Sequence, residues 1–204
     1  MPDSVHWVRN SAEYRAAAIQ AYRLAARQIE QAAAGLPAGT WAVILDADDT
    51  VLDNSQYQKE RAALGLSYSS DSWREWVLRK QAPPVPGSIA FLKRVQELGG
   101  KVAIVTNRVE SLCPATRQDF LGYRIPFDAM LCKPDGGKED KQPRWDQIAN
   151  GLKVLMWVGD NINDFPGLSQ ADRSKPEDAF SDFGSRFIVI PNPMYGSWAG
   201  NPRN

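Results

Sequence analysis

Two short apolar, β-prone runs end abruptly in carboxylates, and this restricts the fold more than any other feature of the chain. Trp41-Ala42-Val43-Ile44-Leu45 runs straight into Asp46-Ala47-Asp48-Asp49-Thr50, and residues 154–159 (VLMWVG) run into Asp160-Asn161-Ile162-Asn163-Asp164. Continuous apolar runs of this length read as strands covered on both faces, the kind found in parallel sheets. Similar runs lie at 101–106, 127–132 and 187–191, and helical patterns fill the intervals at 87–98, 111–121 and 144–151. Strands alternating with helices predict right-handed crossovers, and therefore an α/β fold: a mostly parallel sheet flanked by helices.

Residues 11–34 place Ala17, Ala18, Ile19, Ala21, Tyr22, Leu24, Ala25, Ile29 and Ala32 at helical spacing, with Ser11 in the N-cap region and Gly35-Leu36-Pro37 as the stop. One long packing helix is expected before the first strand. The stretch 53–84 breaks the alternation. It holds Tyr57, Tyr68, Trp73 and Trp76 and closes on the stiff Ala82-Pro83-Pro84-Val85-Pro86-Gly87. An insertion just after the first strand lies over the carboxyl end of the sheet, where α/β folds bind ligands. It reads as a small helical cap within a single domain spanning the 204 residues. Residues 134–143, polar and turn-rich, are expected to form an exposed loop.

Composition removes several function classes. Lys+Arg and Asp+Glu both number 24, so there is no basic field to attract a nucleic-acid polymer or an anionic membrane. The single histidine, His6, argues against histidine phosphatases, His-rich zinc sites and a Ser-His-Asp triad deep in the fold. Cys113 and Cys132 are too few for a disulfide scaffold; they form either one bridge or two buried thiols. No run approaches the length of a membrane helix, and no signal peptide is visible at the start.

Asp46, Asp48 and Asp49 repel one another and lose solvation unless a cation compensates. In a parallel sheet the second cluster, Asp160 and Asp164, reaches the same edge. Hard oxygen ligands without histidine or thiolate point to magnesium rather than zinc. A lone Asp-x-Asp is more often a helix cap or a turn. Here strand-DxDxT, strand-VTN, a loop lysine and strand-GDxxxD follow in order, each at a strand end or in a loop.

Those residues resemble the signature of the haloacid dehalogenase (HAD) superfamily of aspartate-nucleophile phosphatases. The segments DADDTVLDNSQY, DSWREWV, VPGSIAFL, VTNR, Lys141-x-x-Arg144, VGDNINDF and IPNPMYGSW narrow the resemblance to the class C acid phosphatases, over residues 7–198. These include secreted and outer-membrane lipoprotein 5′-nucleotidases of bacteria. The resemblance implies a Rossmann-like HAD core and a magnesium-dependent acid phosphatase that hydrolyses small phosphate monoesters, 5′-nucleotides first, through an aspartyl-phosphate.

By the same resemblance Asp46 is the nucleophile, and Asp48 protonates the leaving oxygen and then activates water, which implies an acidic optimum. Asp46, the backbone carbonyl of Asp48 and Asp160 hold the metal, with Asp164 beside them. Thr106, Asn107 and a lysine bind the phosphoryl oxygens. Lys141 fits the family spacing best, with Lys138 and Lys133 as alternatives. Tyr68 and Tyr195 match the positions that stack on a nucleobase, Tyr68 standing where the family more usually has phenylalanine. Tyr57 and Trp73 are further substrate-binding candidates, although Trp73 and Trp76, at i and i+3, also suit simple packing of the cap. The competing readings are a HAD phosphatase for another small ester, such as a sugar phosphate, and a non-catalytic storage relative, against which Asp46 and Asp48 both stand. The family implies a periplasmic, outer-membrane-anchored or secreted protein. A homodimer is a further expectation, the family often being dimeric and the chain holding 7 tryptophans.

Overall fold

The computed structural model describes residues 1–203. Ser11 is the boundary it was expected to be: its backbone is extended and its Oγ accepts from the Tyr14 amide at 3.0 Å. That cap starts α2 (Ala12–Ala32), but a separate short helix, α1 (Asp3–Asn10), precedes it. The extra helix was missed because only Val5 and Val8 of its residues are buried, too few to print a period.

After α2 come β1 (Trp41–Leu45), α3 (Ser55–Ala63), α4 (Ser70–Arg79), α5 (Ser88–Glu97) and β2 (Lys101–Val109). They are followed by α6 (Cys113–Gly122), β3 (Ala129–Lys133), α7 (Gln142–Ala149), β4 (Lys153–Gly159) and β5 (Phe187–Val189). The strands form one sheet in the order β3-β2-β1-β4-β5, and every neighbouring pair is parallel. The topological switch point therefore falls beside β1, where α/β folds open a crevice at the carboxyl edge.

The middles of the strands are apolar because both faces are covered. Val43, Leu45, Val102, Ile104, Met156 and Val158 point to one side, with Ala25 and Ile29 of α2 and Leu92 and Val95 of α5. Ile44, Ala103, Val105 and Trp157 point to the other, under Trp145, Phe165 and Phe187. Gly87 starts α5 with φ +93°, and a Cβ there would meet the Tyr22 Cβ at 3.1 Å, so both conformation and space call for glycine. Tyr22 in turn donates from its hydroxyl to the Thr50 carbonyl, fixing the loop that follows β1 from below.

The segment carrying α3 and α4 leaves and rejoins the core at one place. The Asp53 amide donates to the Pro83 carbonyl at 2.7 Å and the Val85 amide to the Val51 carbonyl at 2.8 Å. The loop expected over 134–143 is exposed at Lys138, Glu139 and Asp140, but its end is not: Lys141 is buried and α7 begins at Gln142.

Cys113 and Cys132 form a disulfide that ties the start of α6 to β3, closing a loop with a sequence separation of 19. A loop of that size restricts the unfolded chain enough to be worth about 3 kcal/mol. Replacing both cysteines with serine should lower the melting temperature by roughly 6–12 °C. Thermal unfolding of the pair variant, with and without reductant, measures this.

Asp119 of α6 is buried with its Oδ1 unpartnered. Burial pushes its carboxyl up to about 6, against the pull of the Arg108 guanidinium and the Ala82 amide. The folded chain thus holds a proton there to about pH 6, whereas the unfolded chain releases it near pH 4. Stability falls as pH rises through that window, because the native state binds the extra proton. Asp119→Asn should therefore stabilise the fold at pH 7 by about 2 kcal/mol, and the gain should vanish as the pH drops toward 4. Denaturant melts at the two pH values test the sign.

Candidate active site

The site grows from the middle of the sheet. Leu45, the last residue of β1, pairs with Ile104 of β2 on one side and Val158 of β4 on the other. The Asp46 amide still donates to the Val158 carbonyl at 3.0 Å, so Asp46 leaves the strand level with the end of β4. Asp160 follows directly after β4. A single turn over Ile162–Asp164, capped by Asn161, then folds Asp164 back over the strand end. Gly159 makes that return possible, since a Cβ on it would collide with the Asp164 side chain.

One carboxylate oxygen each from Asp46, Asp160 and Asp164 lies within 4.8 Å of the others. Burial is the main force on them, and it pushes the Asp46 carboxyl up to about 7, with Asp164 and Asp48 raising it and Lys141 opposing. Burial likewise lifts Asp160 well above the carboxylate range, with Asp164, Asp46 and Asp49 adding to the effect. Thr50 Oγ1 donates to one Asp160 oxygen at 3.1 Å and Asn192 Nδ2 to the other at 2.7 Å. The Lys141 ammonium bridges Asp46 Oδ1 at 2.6 Å and Asp164 Oδ1 at 2.7 Å. Burial disfavours its charge, but those two carboxylates outweigh it and hold its pKa above the ordinary lysine value. With its carboxyls ionised, as a bound cation would favour, one ammonium against three carboxylates leaves the cluster anionic. An all-oxygen donor set of this kind suits a hard divalent cation.

Asp48 stands beside this cluster, close enough for its charge to raise the Asp46 carboxyl, and has partners of its own. Arg108 Nε and Nη2 grip its carboxylate at 3.0 and 2.7 Å, and Asn54 Nδ2 adds a bond at 2.9 Å. Asp49, in the left-handed region at φ 51°, turns the chain and accepts from the Asn54 amide at 3.0 Å and from the Tyr195 hydroxyl. Thr106 and Asn107 stand on β2 beside β1. Arg144 of α7 holds both, donating to the Thr106 carbonyl and, at 2.6 Å, to Asn107 Oδ1.

The structure thus brings Asp46, Asp48, Asp160, Asp164 and Lys141 into one cluster with its neighbouring shell. Of the three lysines weighed from sequence, only Lys141 pairs with Asp46; Lys138 is exposed and Lys133 half-buried. The aromatic candidates divide. Tyr68 is 62% exposed, whereas Tyr57 is 2% exposed, bonded to Ser72 through its hydroxyl and packed edge-on against Trp73. Trp76 is buried too, donating to Asn54 Oδ1 at 2.8 Å. Arg108 and Asn54 were not singled out from sequence. The signal was present in Arg108, a cation directly after the apolar run and VTN of β2, since a buried guanidinium requires an acidic partner.

With this geometry in place, the likenesses are specific. The sequence pattern of the HAD superfamily, subfamily IIIB (Acid phosphatase), matches residues 1–198. The class C acid phosphatase of Bacillus anthracis is 30% identical and superposes with a TM-score of 0.89 over 97% of this chain and 86% of that one. Its tungstate-bound form is 28% identical with a TM-score of 0.87, over the same shares of the two chains. Acid phosphatase 1 of Solanum lycopersicum is 27% identical over 160 residues, 74% of this chain and 57% of its own length. The chain therefore spans somewhat over half the length of the curated relative it matches. By pattern and fold together, the chain belongs to the acid phosphatases of HAD subfamily IIIB.

Proposed function

We propose that this protein is a magnesium-dependent acid phosphatase that hydrolyses small phosphate monoesters, 5′-nucleotides first, through an aspartyl-phosphate on Asp46. The observation that carries this reading is the placement of Asp46. Its carboxylate is bonded to a buried ammonium and shares with two further carboxylates a group of oxygens fit for a hard cation. That is an environment for an anionic nucleophile that must approach an anionic ester.

Asp46, the backbone carbonyl of Asp48 and Asp160 would hold the magnesium ion, with Asp164 beside them, and when bound it would offset the phosphoryl charge that otherwise repels Asp46. An Asp46 oxygen attacks phosphorus, and the bond to the leaving oxygen breaks with its electron pair going to that oxygen. Asp48 supplies the proton. In the second half Asp48 takes a proton from water as the water oxygen attacks the phosphorus of the aspartyl-phosphate, releasing phosphate. Lys141, Thr106 and Asn107 bind the equatorial oxygens, with Arg144 fixing the Thr106 carbonyl and the Asn107 side-chain oxygen.

Substrate choice falls to the segment over residues 53–84, read as a cap above the sheet edge. Tyr68 offers an exposed ring and Tyr195 is tied to Asp49 through its hydroxyl. Tyr57 and Trp73 support the Tyr68 ring from within. The Cys113–Cys132 disulfide suits an oxidising compartment, in keeping with a periplasmic or secreted protein. Among the described residues no helix is long and apolar enough to cross a membrane.

Phosphate release from 5′-nucleotides should be fastest in mildly acidic buffer, stop with chelator and return with magnesium. Asp46→Asn should lower it by on the order of 1,000-fold or more. Full activity in the chelated enzyme or in the variant would refute the mechanism. Tyr68→Ala should weaken kcat/KM for 5′-nucleotides by about tenfold while sparing an aryl phosphate. Equal effects on both substrates would remove the ring from the clamp.

A further inference from the structure

The two oxygens of Asp48 are bonded unequally. Oδ1 accepts from Arg108 Nη2 at 2.7 Å, from Asn54 Nδ2 at 2.9 Å and from Arg108 Nε at 3.0 Å. Oδ2 accepts only from Arg108 Nε, at 3.2 Å. A carboxylate oxygen with three donors has little room for a proton, so Oδ2 is the oxygen left to exchange one.

The donors themselves cannot turn away. The Arg108 side chain is 0% exposed; its Nη1 donates to Thr116 Oγ1 at 3.3 Å and its guanidinium lies 5.5 Å from the centre of the Trp73 ring. Thr116 Oγ1 is itself fixed by donating to the Leu112 carbonyl at 3.0 Å. Asn54 is fully buried, and its orientation is dictated: Trp76 Nε1 and Arg108 Nη2 are donors only, so they must face its Oδ1 and leave Nδ2 for Asp48. Guanidinium, amide and indole thus form one connected network behind a single carboxylate.

We propose that Arg108 is a positioning residue for proton transfer, holding Asp48 by Oδ1 so that Oδ2 is presented to the leaving oxygen. The inference rests on the aspartyl-phosphate reading and assigns a role within it. As Asp46 bonds to phosphorus and the ester P–O bond breaks, the electron pair goes to the leaving oxygen. That oxygen takes the proton from Asp48 Oδ2, and Arg108 stabilises the carboxylate that remains. Among the described residues Arg108 bonds neither to Asp46, Asp160 or Asp164 nor to Lys141, so it acts through Asp48.

The dependence on leaving group separates this role from a structural one. An alkyl phosphate needs its leaving oxygen protonated; a dinitrophenyl phosphate does not. For Arg108→Met, kcat/KM on the alkyl ester should fall about 100-fold, and on the dinitrophenyl ester by less than about threefold. Arg108→Lys should fall between the variant and the wild type, because an ammonium cannot reproduce the two-nitrogen grip. In an Asp48→Asn background, Arg108→Met should add no further ester dependence. Thr116→Val leaves both guanidinium and carboxylate in place; it should give a smaller loss with the same ester dependence, and it carries the test if Arg108→Met does not fold. Equal losses on both esters, or unchanged rates, would overturn the proposal. A wild-type chain inert on every ester refutes the underlying reading and the proposal with it, and that failure is recognisable because it appears before any residue is changed.

Discussion

The bond between Lys141 and the two carboxylates Asp46 and Asp164 is the contact on which the rest of the site depends. Without it, the carboxyl edge of β1 and β4 would bring buried acids together with no cation from the chain itself. Paired ions in low dielectric offset part of their desolvation only when geometry and additional hydrogen bonds are favourable. Here those conditions are met by parts far apart in sequence. Thr50 and Asn192 serve Asp160, the Asn161 amide serves Asp164 at 2.9 Å, and α7 starts at the residue after Lys141. The sheet order converts these separations into proximity, because β1 and β4 are neighbours although much of the chain lies between them.

A second layer of charge sits behind the first and has the opposite balance. Around Asp48 one carboxylate meets a guanidinium and an amide, whereas around Asp46 several carboxylates share one ammonium. The first arrangement is closed and locks a side chain in place. The second is left anionic, which is the condition for receiving a cation. Two aspartates separated by a single buried residue thus have different tasks because their surroundings differ.

The strands and the acidic clusters were legible because each is a local signal: an apolar run long enough to cross the sheet, then carboxylates that cannot remain buried alone. Lys141 was legible through its spacing to Arg144, while the burial of its side chain was not, since residues 134–143 read as polar and turn-rich. The ion pair that draws it inward is with Asp46, 95 residues earlier. Asn54 was hidden for a similar reason. Asparagine near a helix start is ordinarily a cap, yet here its side chain makes no cap bond and instead joins Asp48, Arg108 and Trp76. Trp76 and Tyr57 look like ligand aromatics in a sequence and are packing residues in the fold, because composition does not reveal which ring face is covered.

The disulfide, left open by the sequence, has a place in this arrangement. In the sheet register Cys132 stands opposite Thr106, and its partner Cys113 opens the helix that carries Thr116 and Asp119. The covalent link therefore fixes α6 against the strands at the level of the site rather than at a remote edge. Thr116 anchors the Arg108 guanidinium, and Asp119, buried on the same helix, pulls on the same cation. A helix free to slide would release both at once, and with them the guanidinium that grips Asp48. Stability and function share this contact: the cross-link that restricts the unfolded chain also sets the position from which the buried arginine reaches the site.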